Sequence, residues 1–343
     1  MGKSQQIFSS EYIQNIINTK SGDEHLDEIG RSEAQRPIMA IKTGKGPLNI
    51  SLIGGAHADE PVGPDMLRKL SYFLVNLPKD HQLIQNFTWH IIPHINPDGE
   101  AKNQIWYNDE ISYDLSDYLK HVVREKPGRD LEFGFPSVNG IKSLRVENEV
   151  VYQFWKDAKA PFHLHASFHG MMHGFGPWFL AEKSWGNKIA TLMKNMKNGV
   201  IERGYQLFDI DRGGEKGFKR LGEGFCSRPD SESMKRFFLE DNQPAEAAKF
   251  HLSSMESTRL LSGDIFTMVT EMPLFLYPGD PSDKVLYQFF KNTFKDWQGK
   301  LAANEITPNE VKFQANQLGI KPMPVKDQQY FQLLYLSEAL KAI

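Results

Sequence analysis

A histidine and a glutamate stand three residues apart in SLIGGAHADEPVG, the segment that covers residues 51–63. Two side chains at this spacing in a tight loop can converge on one ion, and an imidazole nitrogen with a carboxylate oxygen is a donor pair that suits zinc. A His-x-x-Glu pair also occurs by chance on solvated surfaces, so it needs support from its structural context. We therefore take His57 and Glu60 as candidate ligands that require a third partner from elsewhere in the chain.

The third ligand is expected from PFHLHASFHGMMHGFG, residues 161–176, which holds four histidines. Alternate residues of a strand share one face, so His163, His165 and His169 would lie along the same side. His169 stands last before the glycine and is best placed to meet a ligand from a loop. For His163 and His165 we favour hydrogen-bonded histidines within the fold, and we expect His173 in a loop or pocket.

The candidate ligands fall at the ends of predicted strands. Residues 49–53 form a compact apolar run, typical of a strand buried on both faces, and two later strands are predicted at 87–99 and 161–170. Segments with helical spacing of apolar residues separate the strands, and this alternation indicates an α/β fold. Ligands in such folds gather at the carboxyl ends of strands, which is where His57 and Glu60 lie.

We predict a single α/β domain over residues 1–343, with a mixed, mainly parallel central sheet and helices on both faces. Its core is expected at about 25–300, with an inserted segment at about 206–262 and a helical tail at about 305–343. A hydrophobic content of 40% is enough to bury a large core in a chain of 343 residues.

Composition excludes several classes of function. With 40 basic and 43 acidic residues, the net charge of -3 gives no reason to expect a nucleic-acid surface or a polybasic membrane patch. The single cysteine, Cys226, rules out an internal disulfide framework and a cysteine-rich zinc site. No membrane helix or secretory signal is predicted. We expect a cytoplasmic protein that acts on a peptide or a small amide, and its oligomeric state stays open.

Four motifs in chain order resemble the zinc carboxypeptidase family of the M14 type, the carboxypeptidase A-like metallopeptidases. They are the loop GGAHADEPVG, the turn NPDG, the Ser-x-His of ASFHG and the Thr-x-x-x-Glu of FTMVTEMP. The upstream segment EIGRSEAQRPIMAIKTG is also similar to that family. The resemblance covers roughly residues 25–300 and implies one zinc ion held by His57, Glu60 and His169, with water as the remaining ligand.

The resemblance also implies that Glu271 is the general base, which takes a proton from water and delivers it to the leaving amine. The alternative is a charged strand residue paired with a neighbouring lysine or arginine. A glutamate inside the apolar strand FTMVTEMPLF would, however, be costly to bury without a function.

Two further site residues follow from the resemblance. Asp130, in GRDLEFGFP, matches the family acid that orients the first zinc histidine, although an aspartate that starts a turn is the alternative. A cationic side chain should stabilise the oxyanion. Arg124 and Arg129 are the nearest candidates in sequence order, and each could instead be a solvated arginine.

The sequence departs from the family just after Asp130. The Asn-Arg pair with which the family grips the terminal carboxylate of its substrate corresponds here to Glu132 and Phe133. This exchange removes a cation and adds an acid. Two interpretations follow. Another arginine, such as Arg145 or Arg212, supplies the clamp from a different direction. Otherwise the substrate lacks a terminal carboxylate at this point, or it carries an amine that forms an ion pair with Glu132. We expect the inserted segment to reshape the rim of the pocket.

The function predicted from the sequence is a zinc-dependent hydrolase of a peptide or peptide-like amide, a metallocarboxypeptidase with non-standard substrate specificity. An N-acyl-amino-acid amidohydrolase of the desuccinylase or aspartoacylase type shares the metal motif, but the Ser-x-His strand argues against it. A muropeptide-trimming amidase is also compatible. A catalytically inactive binding protein with this fold is the alternative from another class, and the presence of the acidic ligand and the base argues against it.

Overall fold

The computed structural model describes residues 7–107, 113–136, 143–186 and 188–343, and the strands among them form one ten-stranded sheet. The strands are β1 (Asp27–Arg31), β2 (Pro37–Gly44), β3 (Leu48–Gly54), β4 (Phe87–Ile92), β5 (Leu164–Gly174), β6 (Trp178–Ala181), β7 (Arg220–Gly222), β8 (Phe225–Ser227), β9 (Phe266–Leu276) and β10 (Lys321–Pro322). Their spatial order is β1-β2-β4-β3-β5-β9-β6-β8-β7, and β10 pairs with β9.

The helices of the described residues cover both faces of this sheet. They are α1 (Ser10–Ile17), α2 (Val62–Val75), α3 (Gln82–Gln85), α4 (Pro97–Asn103), α5 (Leu115–His121), α6 (Val146–Lys156), α7 (Ala190–Glu202), α8 (Ser231–Glu240), α9 (Pro244–Ala247), α10 (Ser254–Ser262), α11 (Lys284–Ala302), α12 (Pro308–Gln317) and α13 (Val325–Leu340). Helices α1, α2, α7 and α13 pack on one face, and α6 and α10 lie on the other. In the described part of the chain, no helix is both long and apolar enough to cross a bilayer.

Parallel pairing is concentrated at the centre of the sheet. Strands β4, β3, β5 and β9 run parallel to one another, and antiparallel β2 and β6 flank them. The carboxyl ends of the four central strands therefore share one edge, where the loops that follow them meet. The prediction of a mixed α/β fold with helices on both faces is confirmed, and its parallel part is this central group of strands.

The turn after β3 depends on two glycines. Gly55 has a φ of +71°, in the left-handed region, and a Cβ there would lie 2.3 Å from a ring atom of His94. A Cβ on Gly54 would lie 2.7 Å from the carbonyl oxygen of Pro93. Both distances are shorter than a real carbon contact allows, so only glycine lets the chain turn this closely against the end of β4.

The C-terminal part of the chain packs inside the fold. Most of α13 is buried, with Phe331, Leu333 and Leu336 fully enclosed, and the hydroxyl of Tyr335 donates to the carbonyl oxygen of Leu180 at 2.9 Å. The buried residues of α13 include Gln328, Gln329 and Gln332 as well as apolar side chains, so the helix is enclosed around most of its circumference. Helix α13, in the expected helical tail, thus packs as part of the hydrophobic core.

The inserted segment contributes to the central sheet as well as to the surface. Its strands β7 and β8 extend the sheet beyond β6. Residues 231–262 contain three helices, α8, α9 and α10, and α8 is linked to α10 because Glu256 accepts hydrogen bonds from both Ser231 and Ser253.

Candidate active site

The three candidate ligands meet at the carboxyl edge of the sheet. His57 Nδ1 lies 3.0 Å from Glu60 Oε1, His169 Nδ1 lies 2.9 Å from Glu60 Oε2, and the two Nδ1 atoms are 3.1 Å apart. Ligand atoms bound to a tetrahedral ion at about 2.05 Å are separated by roughly 3.3 Å, so these atoms come close to outlining one face of such a site. The donor set and its spacing suit zinc.

Strand register explains why distant ligands meet. Strands β3 and β5 pair in parallel with Gly54 opposite Phe168, so His169 stands just beyond the end of β3. The loop from His57 to Glu60 is a tight turn, in which the Glu60 amide donates to the His57 carbonyl oxygen at 3.3 Å. The turn directs both side chains toward His169.

The second nitrogen of each imidazole faces an oxygen. His57 Nε2 lies 3.5 Å from Asp130 Oδ2, while His169 Nε2 lies 2.7 Å from Ser167 Oγ and 3.1 Å from Glu132 Oε2. Oxygens that accept from Nε2 favour the tautomer whose Nδ1 lone pair is free for a metal. Asp130 thus lies where the prediction requires it. Glu132 was predicted to bind substrate, but it lies behind His169. The sequence could not show this contact, because it arises only from the tertiary structure.

The site is built to hold positive charge. Burial and the nearby guanidinium of Arg124 each lower the pKa of His57. The carboxylates of Glu60 and Asp130 have the larger effect and raise the pKa of His57 to about 10. Burial raises the pKa of Glu60, but His57, Arg124 and His169 bring it well below its usual range. Without an ion, the acids therefore retain protons on the histidines, and a divalent cation can replace that charge.

Glu271 lies beside the ligand group. It is opposite His169 in the parallel pair of β5 and β9, so the two side chains leave the sheet on the same face, and both line one cavity. Burial raises the pKa of Glu271 to about 8, against the lowering effect of His169. A carboxyl group with a pKa near neutrality is suited to accept and return a proton.

Arg124 is anchored at the edge of the same group. Its Nη1 donates to Glu60 Oε1 at 2.9 Å and to Asp59 Oδ2 at 3.1 Å, and Asp59 Oδ2 also accepts from the Tyr118 hydroxyl at 3.3 Å. The Arg124 side chain is 46% exposed and lines the cavity. Sequence reasoning missed Asp59, although an acid directly before the ligand Glu60 was a signal for it.

Of the three other arginines named from the sequence, Arg212 lines the cavity, whereas Arg129 and Arg145 do not. Arg129 forms an exposed ion pair with Glu33. Arg145 is buried, and its guanidinium binds Glu147 and, at 2.7 Å, Glu125. Because these acids occupy the two guanidinium groups, neither arginine is available as a clamp.

The remaining histidines of β5 stabilise the fold. The Asn49 amide donates to His163 Nδ1 at 3.0 Å, and His165 Nδ1 lies 2.8 Å from Ser51 Oγ, which confirms the prediction of hydrogen-bonded histidines. His173, expected in a loop or pocket, instead lies within β5 and stacks on Phe294 with ring centroids 4.5 Å apart.

The ligand group opens into a cavity of about 740 Å³, a size typical of sites for small ligands. At the position of the family's clamp arginine, the ring of Phe133 packs edge-on against Phe250, with centroids 5.4 Å apart. Much of the wall comes from the inserted segment, including Phe208, Ile210, Arg212, Lys216, Phe218, Arg228, Met234, Phe250 and Met255. Tyr287 of α11 also lines the cavity and was not identified from the sequence.

Comparisons with known proteins agree with the motifs. The family model described as zinc carboxypeptidase (Peptidase_M14) matches residues 10–175, so the three candidate ligands lie inside the match and Glu271 lies outside it. Zinc carboxypeptidase A 1 of Drosophila melanogaster is 28% identical over 120 residues, which are 30% of this chain and 27% of that protein. Carboxypeptidase E of Caenorhabditis elegans is 27% identical over 174 residues, 42% of this chain and 36% of that protein.

The chain thus spans between 27% and 36% of the length of these two curated relatives. Among solved structures, the carboxypeptidase A of Helicoverpa armigera aligns at 13% identity with a TM-score of 0.47, covering 96% of this chain and 71% of that one. The family match confirms the resemblance found in the motifs. Together with the group of His57, Glu60 and His169, it confirms zinc as the predicted cofactor.

Proposed function

Because residues 10–175 match the family model of the zinc carboxypeptidases, we propose that the chain is a zinc-dependent hydrolase of a peptide or peptide-like amide bond. The observation that carries the proposal is the convergence of the three candidate ligands, with Glu271 beside them in strand register. A buried carboxyl group with a raised pKa beside such a ligand group is typical of catalytic sites.

Each residue of the site has a chemical role in this proposal. Zinc, when bound, lowers the pKa of a water molecule and polarises the scissile carbonyl. Glu271 accepts the proton of the attacking water and passes it to the leaving amine. Arg124, held by Asp59, offers its guanidinium to the charge that develops on the carbonyl oxygen. Asp130 orients the imidazole of His57.

The specificity is proposed to differ from that of a standard carboxypeptidase. Phe133 stands where the family has its clamp arginine, and its ring forms part of an apolar wall with Phe250. The neighbouring Glu132 faces His169, where it supports a ligand instead of a substrate. These contacts support a metallocarboxypeptidase whose substrate is held by other groups of the cavity.

A substrate panel on zinc-loaded protein tests the proposal. The panel contains peptides with free and with blocked C-termini, cell-wall peptides and N-acyl amino acids, and zinc content is measured by elemental analysis. We expect one zinc per chain, hydrolysis of at least one peptide-like amide, and loss of turnover with retained zinc in Glu271→Gln. Cleavage confined to N-acyl amino acids would favour the desuccinylase type of enzyme. Absence of zinc from the loaded protein, or full activity of Glu271→Gln, would contradict the proposal.

A further inference from the structure

The segment that carries Arg124 has no regular structure of its own. Residues 122–130 follow α5 and form neither helix nor strand. Such a segment has no ladder of backbone hydrogen bonds, so side-chain contacts must fix its path. The guanidinium of Arg124 nevertheless has a defined position, since its Nη1 donates to both Asp59 and Glu60. The groups that hold the segment therefore decide where this guanidinium lies.

The last residue of α4 holds the segment on one side of Arg124. Asn103 is fully buried, and its amide bonds both backbone groups of Val123. Its Nδ2 donates to the Val123 carbonyl oxygen and its Oδ1 accepts from the Val123 N–H, each at 2.9 Å. The same amide donates to the Gly99 carbonyl oxygen at 3.0 Å and accepts from Trp106 Nε1 at 2.8 Å. All four hydrogen bonds that the amide can form are thus used, and they fix the backbone before Arg124 against α4.

Glu125 holds the segment on the other side of Arg124. Its Oε2 accepts from Nδ2 of Asn96, the residue that caps α4, and its Oε1 accepts from Arg145 Nη1 at 2.7 Å. Asn96 is fully buried, and the Arg145 side chain is only 2% exposed. Charge-assisted hydrogen bonds to two buried partners leave the Glu125 carboxylate little freedom. The residue after Arg124 is therefore fixed as well.

Arg145 connects this segment to the one that carries Asp130. Its Nη1 also donates to the carbonyl oxygen of Arg129, directly before Asp130, at 3.1 Å. Its Nε and Nη2 donate to Glu147, a fully buried acid. One buried guanidinium thus supports both segments that present side chains to the ligand group.

We propose that Glu125 is a positioning residue of the active site: together with Asn103, it sets the place from which Arg124 meets the carbonyl oxygen of the substrate. The inference rests on the proposed hydrolase function, in which Arg124 stabilises the charge that develops on that oxygen. Stabilisation of this kind requires a donor that is in place before the reaction, so a displaced guanidinium lowers the rate more than substrate affinity. Glu125 does not line the cavity, so its effect on turnover passes through Arg124.

Glu125→Gln and Glu100→Gln form a matched pair of variants. Both side chains are 17% exposed, and both accept from a guanidinium, that of Arg145 for Glu125 and that of Arg68 for Glu100. Glu125→Gln cannot keep both of its bonds, because the new NH2 group faces either Asn96 or Arg145, and both are donors. On a substrate that the wild type hydrolyses, we expect kcat to fall by at least about tenfold and KM to change by less than about threefold. Glu100→Gln should keep both constants.

A double-mutant cycle with Arg124→Ala separates positioning from a general structural effect. If Glu125 acts through Arg124, Glu125→Gln should change kcat by less than about twofold once the guanidinium is absent. A loss in the double variant equal to the product of the two single losses would overturn the inference. Melting temperatures check folding. Should Glu125→Gln not fold, Glu125→Asp repeats the tests, because it keeps the charge beside Arg145 but is one methylene too short to reach Asn96 as well.

Crystal structures of the zinc-loaded Glu125→Gln and Glu100→Gln variants give a result that needs no substrate. We expect the Arg124 guanidinium to shift by at least about 1 Å from Asp59 and Glu60 in the first variant and to keep these contacts in the second. Contacts kept in both variants, or an unchanged kcat in Glu125→Gln, overturn the inference and leave the hydrolase function standing. If the wild type hydrolyses no substrate of the panel, the proposed function fails and the two structures decide the inference.

Discussion

At the scale of single residues, the site depends on the oxygens behind its histidines. Asp130 faces His57 Nε2, while Ser167 and Glu132 face His169 Nε2, so each ligand is oriented from its outer side. Carboxylates in these positions fix the tautomer and make the ligating nitrogen more basic. The contribution of these residues is therefore expected first in metal affinity and only then in turnover.

Asp130→Asn should weaken zinc binding by about 10- to 100-fold, because the amide is a poorer acceptor for the proton on His57 Nε2. Competition with a chromogenic chelator measures the affinity. Glu33→Gln is a suitable control, since Glu33 pairs with Arg129 away from the cavity. Equal zinc affinities for Asp130→Asn and the wild type would remove Asp130 from the site.

Zinc affinity should rise with pH. In the metal-free protein, the two carboxylates near His57 raise its pKa to about 10, so zinc must displace a proton at every lower pH. Each displaced proton makes the apparent affinity about tenfold stronger per pH unit. Calorimetry in buffers with different ionisation enthalpies counts the protons released. The raised pKa of His57 also contributes to the free energy of unfolding of the metal-free protein. This contribution is fully present below about pH 6.5 and is lost as the pH rises to about 10. A zinc affinity that does not change from about pH 6 to 9 would contradict a protonated His57 in the metal-free protein.

At the scale of elements, strand ends and the register between strands assemble the site. His57, Glu60, His169 and Glu271 could be predicted because each belongs to a recognisable motif. The parallel register then places His169 and Glu271, in the middle of β5 and β9, beside the loop that follows β3. Arg228 could not be predicted in this way. Its position depends on β8 pairing with β6 and on β6 running antiparallel to β9, and no local pattern encodes those pairings.

The turn after β3 should tolerate no side chain at Gly55. Gly55→Ala is expected to cost about 3 kcal/mol or more in the free energy of unfolding, because it combines a left-handed φ with a clash against His94. Gly204→Ala is the matched control, since Gly204 has a φ of +78° but open space around its Cβ position. Its cost should be about 1 kcal/mol. Denaturant unfolding compares the two, and equal costs would show that the approach of His94 is unimportant.

At the scale of the whole molecule, one core connects parts of the chain that are far apart in sequence. Helix α13 packs with α1, α2 and α7 on the face of the sheet opposite to α6. Apolar spacing predicted a helix in this region, but spacing cannot show what lies against each face. The same limit applies to Arg145, whose burial against Glu125 and Glu147 is a tertiary property.

Leu336→Ala should destabilise the protein by about 2–5 kcal/mol, because Leu336 is fully buried in α13 and its truncation leaves a cavity. Leu239→Ala makes the same chemical change at a side chain that is 55% exposed, and it should change stability by less than about 0.5 kcal/mol. Thermal and denaturant unfolding measure both. A small effect of Leu336→Ala would mean that α13 is dispensable for the core.

The burial of α13 has a consequence for the synthesis of the protein. Helix α13 covers β5 and β9. Strand β9 ends at Leu276 and α13 begins at Val325, so at translation rates of about 5–20 residues per second the ribosome needs roughly 2–10 s between them. During that interval the sheet face that α13 covers has no partner, and exposed apolar surface of this kind attracts chaperones and promotes aggregation. A nascent chain that stalls between residues 277 and 324 should therefore be bound by chaperones or degraded, even though it already contains every residue of the metal site.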